Sequence, residues 1–239
     1  MKPIYVPKGR ALEYGDYALN IYTGCPHRCY YCFAPSVLRK DRETFHTDVR
    51  PREGIIEAAR RQLEKDGITG KLVHLCFTCD PYPKGYDSTV TREIITLLKE
   101  HGNHVQILTK NGADAMRDFD LLDGKDWFGV THTGYNESPT TSPPIEPNAG
   151  TLFDRIKALV IAKNRGIRTW VSCEPTIDPN GVLKLIETGS YIDLFKIGKL
   201  NYHPSSVDWA HFGRVAEERC KEHGRNYYIK DSLRAEMGV

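Results

Sequence analysis

Three cysteines close together constrain this chain more than any other feature: Cys25, Cys29 and Cys32, within Gly24-Cys25-Pro26-His27-Arg28-Cys29-Tyr30-Tyr31-Cys32-Phe33. On a run this short three thiolates can converge on one face of a cuboidal 4Fe-4S cluster, whereas the usual cluster takes four cysteine ligands. One iron is then left without a protein ligand. Like the open position of a catalytic zinc, it is a place where a small molecule coordinates. The same residues allow two other readings: a zinc knuckle completed by His27 or His46, or cysteines buried for packing alone.

With 239 residues the chain suffices for one large α/β domain or two small ones. Apolar residues make up 40% and charged residues 27%, as in ordinary globular proteins. No run reaches the roughly 18 apolar residues of a membrane span, and Met1 to Val6 lacks the apolar core of a secretory signal. The expected address is therefore the cytoplasm, with no membrane partner. Seven cysteines, an odd number with three of them clustered, fit a reducing compartment and metal ligation better than a disulfide framework. A net charge of +2 does not announce a nucleic-acid binder. Locally, Arg28, Arg39, Lys40, Arg42, Arg50 and Arg52 gather in and after the cysteine run, either as phosphate contacts or as a solvated helix face.

Residues 1–16, interrupted by Pro3, Pro7, Gly9 and Gly15, read as an irregular N-terminal arm before a domain over 17–239. Strands are expected at 17–22, leading into the cysteine run, and at 71–78, 104–110, 127–133, 167–173 and 192–197, with a closing strand at 226–230. Between them, helical spacing places helices at 51–66, 88–101, 151–165, 181–188 and 205–223, and a short one from Ala113. In the third of these the inward residues are Leu152, Ile156, Leu159 and Val160, after a capping box of Thr151 and Asp154. Strand and helix in alternation argue for a parallel sheet, either curled into a partial or full barrel or left as an open doubly wound sheet. The loop from Gly134 to Gly150, with four prolines, is long enough for a lid or recognition element.

Cys-x3-Cys-x2-Cys with an aromatic, Tyr31, before the third cysteine resembles the signature of radical S-adenosylmethionine enzymes. Cys79-Asp80-Pro81-Tyr82, Thr91-Arg92 and Ile107-Leu108-Thr109-Lys110 are similar to stretches of the spore photoproduct lyase-like (DNA repair photolyase-like) branch. The resemblance implies a single-domain α/β fold, a partial (β/α)6 TIM-type barrel of parallel strands. It also implies Cys25, Cys29 and Cys32 as metal ligands, a 4Fe-4S cluster and S-adenosyl-L-methionine as cofactors, and an external one-electron reductant such as flavodoxin or ferredoxin. In such enzymes reductive cleavage of S-adenosylmethionine gives a 5'-deoxyadenosyl radical that abstracts hydrogen. Tyr31 would lie beside the adenine, Lys110 at the cofactor's carboxylate, Asp80 near it, and Thr131 and Thr133 would offer hydroxyls from one strand face.

Three residues are candidates for the chemistry itself: Cys79 as hydrogen donor, Tyr31, and Glu174 as an acid or orienting group. Residues three apart on a strand face opposite ways, so only one of Cys76 and Cys79 is expected in the cavity. Cys173 and Cys220 read as packing residues. Phe33 stands where the lyase carries a relay tyrosine and offers no hydroxyl hydrogen; Tyr30 or Tyr31 would have to replace it. A nucleic-acid or nucleotide substrate follows from family analogy and the local basic residues. A peptide or small metabolite is the rival substrate, and a non-catalytic iron-sulfur or zinc module is the rival from another class.

Overall fold

The computed structural model describes residues 2–135 and 144–238. Eight strands form one sheet in sequence order. A two-residue strand from the arm, β1 (Ile4–Tyr5), runs antiparallel to β2 (Tyr17–Leu19). From β2 onward every pairing is parallel: β3 (Leu72–Leu75), β4 (His104–Thr109), β5 (Trp127–Thr131), β6 (Arg168–Cys173), β7 (Leu194–Ile197) and β8 (Tyr227–Ile229). β1 and β8 are not paired with each other, so the barrel is partial.

The helices are α1 (Ala34–Leu38), α2 (Arg42–Thr47), α3 (Ile55–Asp66), α4 (Thr89–Glu100), α5 (Gly112–Ala115), α6 (Leu152–Asn164), α7 (Pro179–Thr188), α8 (Trp209–Glu222) and α9 (Asp231–Met237). In α4 Ile94, Ile95, Leu97 and Leu98 are buried, and Ser88 precedes the helix. In α6 Thr151 caps as expected, accepting from the Asp154 amide at 3.1 Å. The face of α6 is turned from the expectation, however: Arg155, Ala158, Leu159 and Ala162 are buried, and Leu152, Ile156 and Val160 only half so.

Between the sheet and its helices lies one core, to which every parallel strand contributes. Gly129 on β5 makes room for Trp170 on β6. A Cβ there would fall 2.2 Å from the indole nitrogen, whose N–H donates to the Ile107 carbonyl at 3.0 Å. The arm is part of this packing. Lys230, just after β8, is 1% exposed and bonds Glu13 at 3.2 Å and the Tyr14 hydroxyl at 2.6 Å, and Glu13 also accepts from the Asp231 amide. These contacts lie across the seam that β1 and β8 leave open.

Several strands stop earlier than their apolar runs suggest. β3 ends at Leu75 instead of residue 78 and β5 at Thr131 instead of residue 133. The apolar or β-branched residues beyond these ends sit in loops that turn across the mouth, where burial, not pairing, accounts for their character.

Candidate functional site

The cysteine run leaves the end of the first parallel strand and folds under its own neighbours. Gly24 is required by a close approach: a Cβ there would stand 2.1 Å from the Phe45 carbonyl oxygen. Arg28 takes a left-handed φ of 56° and pairs with Glu43 on α2. Arg42 donates to the carbonyls of Cys29, Tyr30 and Cys32 at 2.6, 3.0 and 3.2 Å. Lys40 donates to the Thr23 carbonyl and Arg50 pairs with Asp48. Most of the basic residues read as a phosphate patch are thus spent on holding the loop. Of these, Arg42 and Lys40 serve carbonyls that short irregular backbone leaves unpaired, while Arg28 and Arg50 pair with carboxylates.

All three cysteines are free thiols. Burial, with the other sulfurs and Asp80 or Glu146 adding to it, pushes Cys25 well up and Cys29 up to about 12, and burial raises Cys32 as well. Three thiols whose charged forms burial disfavours are poor bare thiolates and would be stabilised by a cation among them. Among the described residues, the one trio of candidate ligand atoms within 4.8 Å of one another is His104, Asp123 and Asp126, far from the cysteine run in sequence. A tetrahedral zinc would draw its sulfurs to within about 3.8 Å of each other. The sulfurs of Cys25, Cys29 and Cys32 do not all lie within 4.8 Å of one another. His27 is also committed elsewhere, its Nε2 accepting from the Lys84 amide at 3.2 Å and its Nδ1 lying 3.5 Å from Asp80. The zinc-knuckle reading through His27 therefore falls.

Beside the run opens a cavity of about 530 Å3, lined among others by Tyr31, Cys76, Cys79, Asp80, Lys110 and Glu174. Asp80 is fixed in place, accepting from the Tyr82 amide at 2.9 Å, the Thr109 hydroxyl at 2.6 Å and the Lys110 amide at 2.8 Å. Lys110 follows β4 directly; its ammonium lies 5.6 Å from the Tyr31 ring centre. Burial opposes its charge, but Cys29, Glu146 and Asp80 outweigh that and raise its pKa. Glu174, after β6, bonds Lys230 at 2.6 Å and Asn201 at 3.0 Å. The two bonds fix the direction of its carboxylate at the cavity wall.

Thr131 lines the cavity from the last position of β5. Thr133 does not share that face, since the strand has ended: its carbonyl accepts from the amides of Ile177 and Asp178, and it is absent from the cavity wall. The expected split of Cys76 and Cys79 is corrected for the same reason. Both follow β3 on a loop, and both line the cavity. Phe33 sits at the cavity edge, 47% exposed.

Two features went unforeseen. Tyr31 donates its hydroxyl to Glu146, which pairs with Arg155 at 2.6 Å, the carboxylate and the guanidinium both buried. The returning half of the long loop is stitched to the cysteine run: the Ile145 carbonyl accepts from the Tyr30 amide at 3.0 Å, and Asn148 donates to the carbonyls of His27 and Pro26 at 3.3 and 3.0 Å. Residues 136–143 of that loop, including Pro139 and Pro143, lie outside the described residues. The second feature is the inner cavity wall, to which Tyr14, Ser172 and Lys230 contribute. Lys8, Arg10 and Tyr202 belong to its outer part, with the Arg10 guanidinium 5.4 Å from the Tyr202 ring centre.

The same architecture occurs in solved structures. Spore photoproduct lyase with bound AdoMet and dinucleoside spore photoproduct superposes with a TM-score of 0.62 over 92% of this chain and 64% of that chain, at 16% identity. SuiB of Streptococcus suis bound to S-adenosylmethionine gives 0.62 over 88% of this chain and 49% of that chain, at 15% identity. These are likenesses of fold. Uncharacterized proteins of Mycobacterium tuberculosis and Mycobacterium bovis are 32% identical over 122 residues, 49% of this chain and 35% of theirs, so the chain spans about a third of the length of the curated relatives it matches. The model of the radical SAM superfamily matches residues 19–183, from the strand before the cysteine run to the helix after Glu174, and the chain belongs to that superfamily.

Proposed function

We propose that this chain is a radical S-adenosylmethionine enzyme acting on a nucleotide or nucleic-acid substrate. The observation that carries the reading is the set of three free thiols on one short loop beside a cavity lined by Tyr31, Asp80 and Lys110. Cys25, Cys29 and Cys32 would hold a 4Fe-4S cluster. When bound, the cluster supplies the electron that cleaves S-adenosylmethionine reductively, giving a 5'-deoxyadenosyl radical for hydrogen abstraction.

The chain's own residues bind and orient. Lys110 offers a compact cation to the cofactor's carboxylate, Tyr31 an aromatic face fixed by Glu146, and Thr131 a strand-end position beside them. Glu174 and Asn201 present an oriented carboxylate and amide to the substrate. Cys79 is the hydrogen donor. The nucleotide reading draws support from the outer cavity, where Lys8 and Arg10 stand beside Tyr202 and Phe33: cations for phosphate and rings for stacking. A flavodoxin- or ferredoxin-type reductant and a cytoplasmic setting complete the proposal; no described helix is long and apolar enough to cross a membrane.

The test is anaerobic cluster reconstitution followed by reduction in the presence of S-adenosylmethionine. Formation of 5'-deoxyadenosine, lost in the triple Cys25, Cys29, Cys32→Ala variant, is the expected result. No nucleoside from protein carrying a full cluster would overturn the reading. Nucleic acid that co-purifies and is released by salt would support the substrate class.

A further inference from the structure

Cys76-Phe77-Thr78-Cys79 follows β3 on a loop, which sets the two cysteines three positions apart on irregular backbone. Both are free and both line the cavity shared by Tyr31, Asp80 and Lys110. Cys76 is 5% exposed, whereas Cys79 is more open and its sulfur accepts from the Tyr22 amide at 3.4 Å. Their environments pull them apart. Burial, then the neighbouring Cys79, pushes the Cys76 thiol well up; for Cys79 burial is outweighed by the hydrogen bonds from Cys76 and Tyr22, and its pKa falls below the ordinary value. Two free sulfurs three positions apart on one loop, both at the same cavity wall, are placed to close on each other as a disulfide once one of them is oxidised. Cys173 and Cys220, by contrast, are fully buried and do not line the cavity.

We propose that Cys76 and Cys79 form a dithiol–disulfide couple that reduces a carbon radical at the barrel mouth. The inference rests on the radical-enzyme reading above and extends it to a second sulfur. The S–H bond of Cys79 breaks homolytically, its hydrogen passes to the carbon radical, and a thiyl remains on Cys79. Cys76 loses its proton to water, and its thiolate adds to that thiyl. The surplus electron leaves to the oxidised form of the external one-electron carrier, and an ordinary disulfide remains. The dithiol has then given up two electrons and two protons: a hydrogen atom to carbon, an electron to the carrier and a proton to water. An external dithiol reopens the bond by thiol–disulfide exchange.

Trypsin releases residues 72–84 as one peptide that holds both cysteines and no other. The reconstituted protein is incubated with S-adenosylmethionine and reduced flavodoxin in D2O, without added thiol or substrate, so that the cofactor's own nucleoside radical is the hydrogen acceptor. Alkylation and mass spectrometry then read the peptide. The expected result is deuterium in 5'-deoxyadenosine together with a peptide that resists alkylation until a phosphine is added. Cys76→Ser should keep the deuterium and lose the internal disulfide to background, and Cys79→Ala should lose the deuterium.

Deuterium transfer with both cysteines alkylated in the wild type overturns the couple while the donor role of Cys79 stands. Unchanged deuterium in Cys79→Ala overturns the donor role and the couple with it. Absence of any 5'-deoxyadenosine overturns the enzyme reading instead. A second measurement needs no turnover: equilibration of the same protein with mixtures of oxidised and reduced glutathione, scored on the same peptide. Closure to the internal disulfide is expected, and a peptide alkylated at both cysteines in every mixture overturns the couple.

Discussion

Glu146 and Arg155 meet at 2.6 Å, one on the returning half of the long loop and the other on the buried face of α6. The carboxylate also takes the Tyr31 hydroxyl, and the guanidinium donates to the carbonyls of Gly150 and Thr131. The pair thus ties the cysteine run to the barrel. Burial would raise the Glu146 pKa, but Arg155 and Lys110 outweigh it and hold it below the usual carboxylate value.

Removing Glu146 leaves the Arg155 guanidinium buried without its carboxylate. Glu146→Ala is expected to destabilise the protein by about 3–5 kcal/mol, the usual cost of breaking a buried pair. Adding Arg155→Met should recover part of the loss. Urea unfolding of both single variants and the double, with midpoints read at constant slope, measures this; a loss in the double variant equal to the sum of the two single losses would show that the pair contributes nothing of its own.

His74 is wholly buried, its Nδ1 2.8 Å from the Gln106 side-chain oxygen, and desolvation pushes its pKa down to about 3. In the unfolded chain histidine titrates near 6.5. Between those values the unfolded state binds a proton that the folded state refuses, so stability rises with pH across the window and is lost as pH falls from about 6.5 toward 3. The slope from this group is at most about 1.4 kcal/mol per pH unit. His74→Gln should flatten the decline between pH 6.5 and 5 relative to wild type. Parallel stability curves for the two proteins would contradict this.

Much of the architecture was legible because it is written in local periods. The helical repeat of α4 and the apolar runs of β4 and β6 fix element type without reference to the rest of the chain. The cysteine triplet is also local. What escaped depends on distant partners: Tyr31 and Glu146 are 115 positions apart, and the bond from Lys230 to Glu13 spans 217. Arg155 interrupts the apolar pattern of α6, and it was that interruption, an arginine where the helix turns inward, that could have announced a buried carboxylate. The pairing of Cys76 with Cys79 was missed through strand length, since alternation holds only while the strand lasts.

Lys110 has a cavity-facing ammonium and a backbone fixed by Asp80. A charge-assisted hydrogen bond to a carboxylate contributes about 1.5–3 kcal/mol. Lys110→Met is therefore expected to weaken S-adenosylmethionine binding by about 10- to 150-fold, with the cluster absorbance unchanged. Calorimetric titration of the cofactor into reconstituted protein decides it. Unaltered affinity would remove Lys110 from the cofactor site.

If the loop over 134–150 were only a lid, its deletion would spare the cluster. The contacts argue otherwise for its second half, because Asn148 donates to the carbonyls of both Pro26 and His27, between Cys25 and Cys29. Asn148→Ala removes the side-chain bond to Pro26 and leaves that carbonyl to water or to nothing, at a cost of about 1–3 kcal/mol where it stays buried. The effect should fall on the run that holds the metal. Chelator-driven bleaching of the reconstituted cluster is expected to proceed about tenfold faster in Asn148→Ala, for a cost near 1.4 kcal/mol, while global unfolding of the cluster-free protein changes little. Bleaching at the wild-type rate would assign this half of the loop to substrate rather than to the cluster.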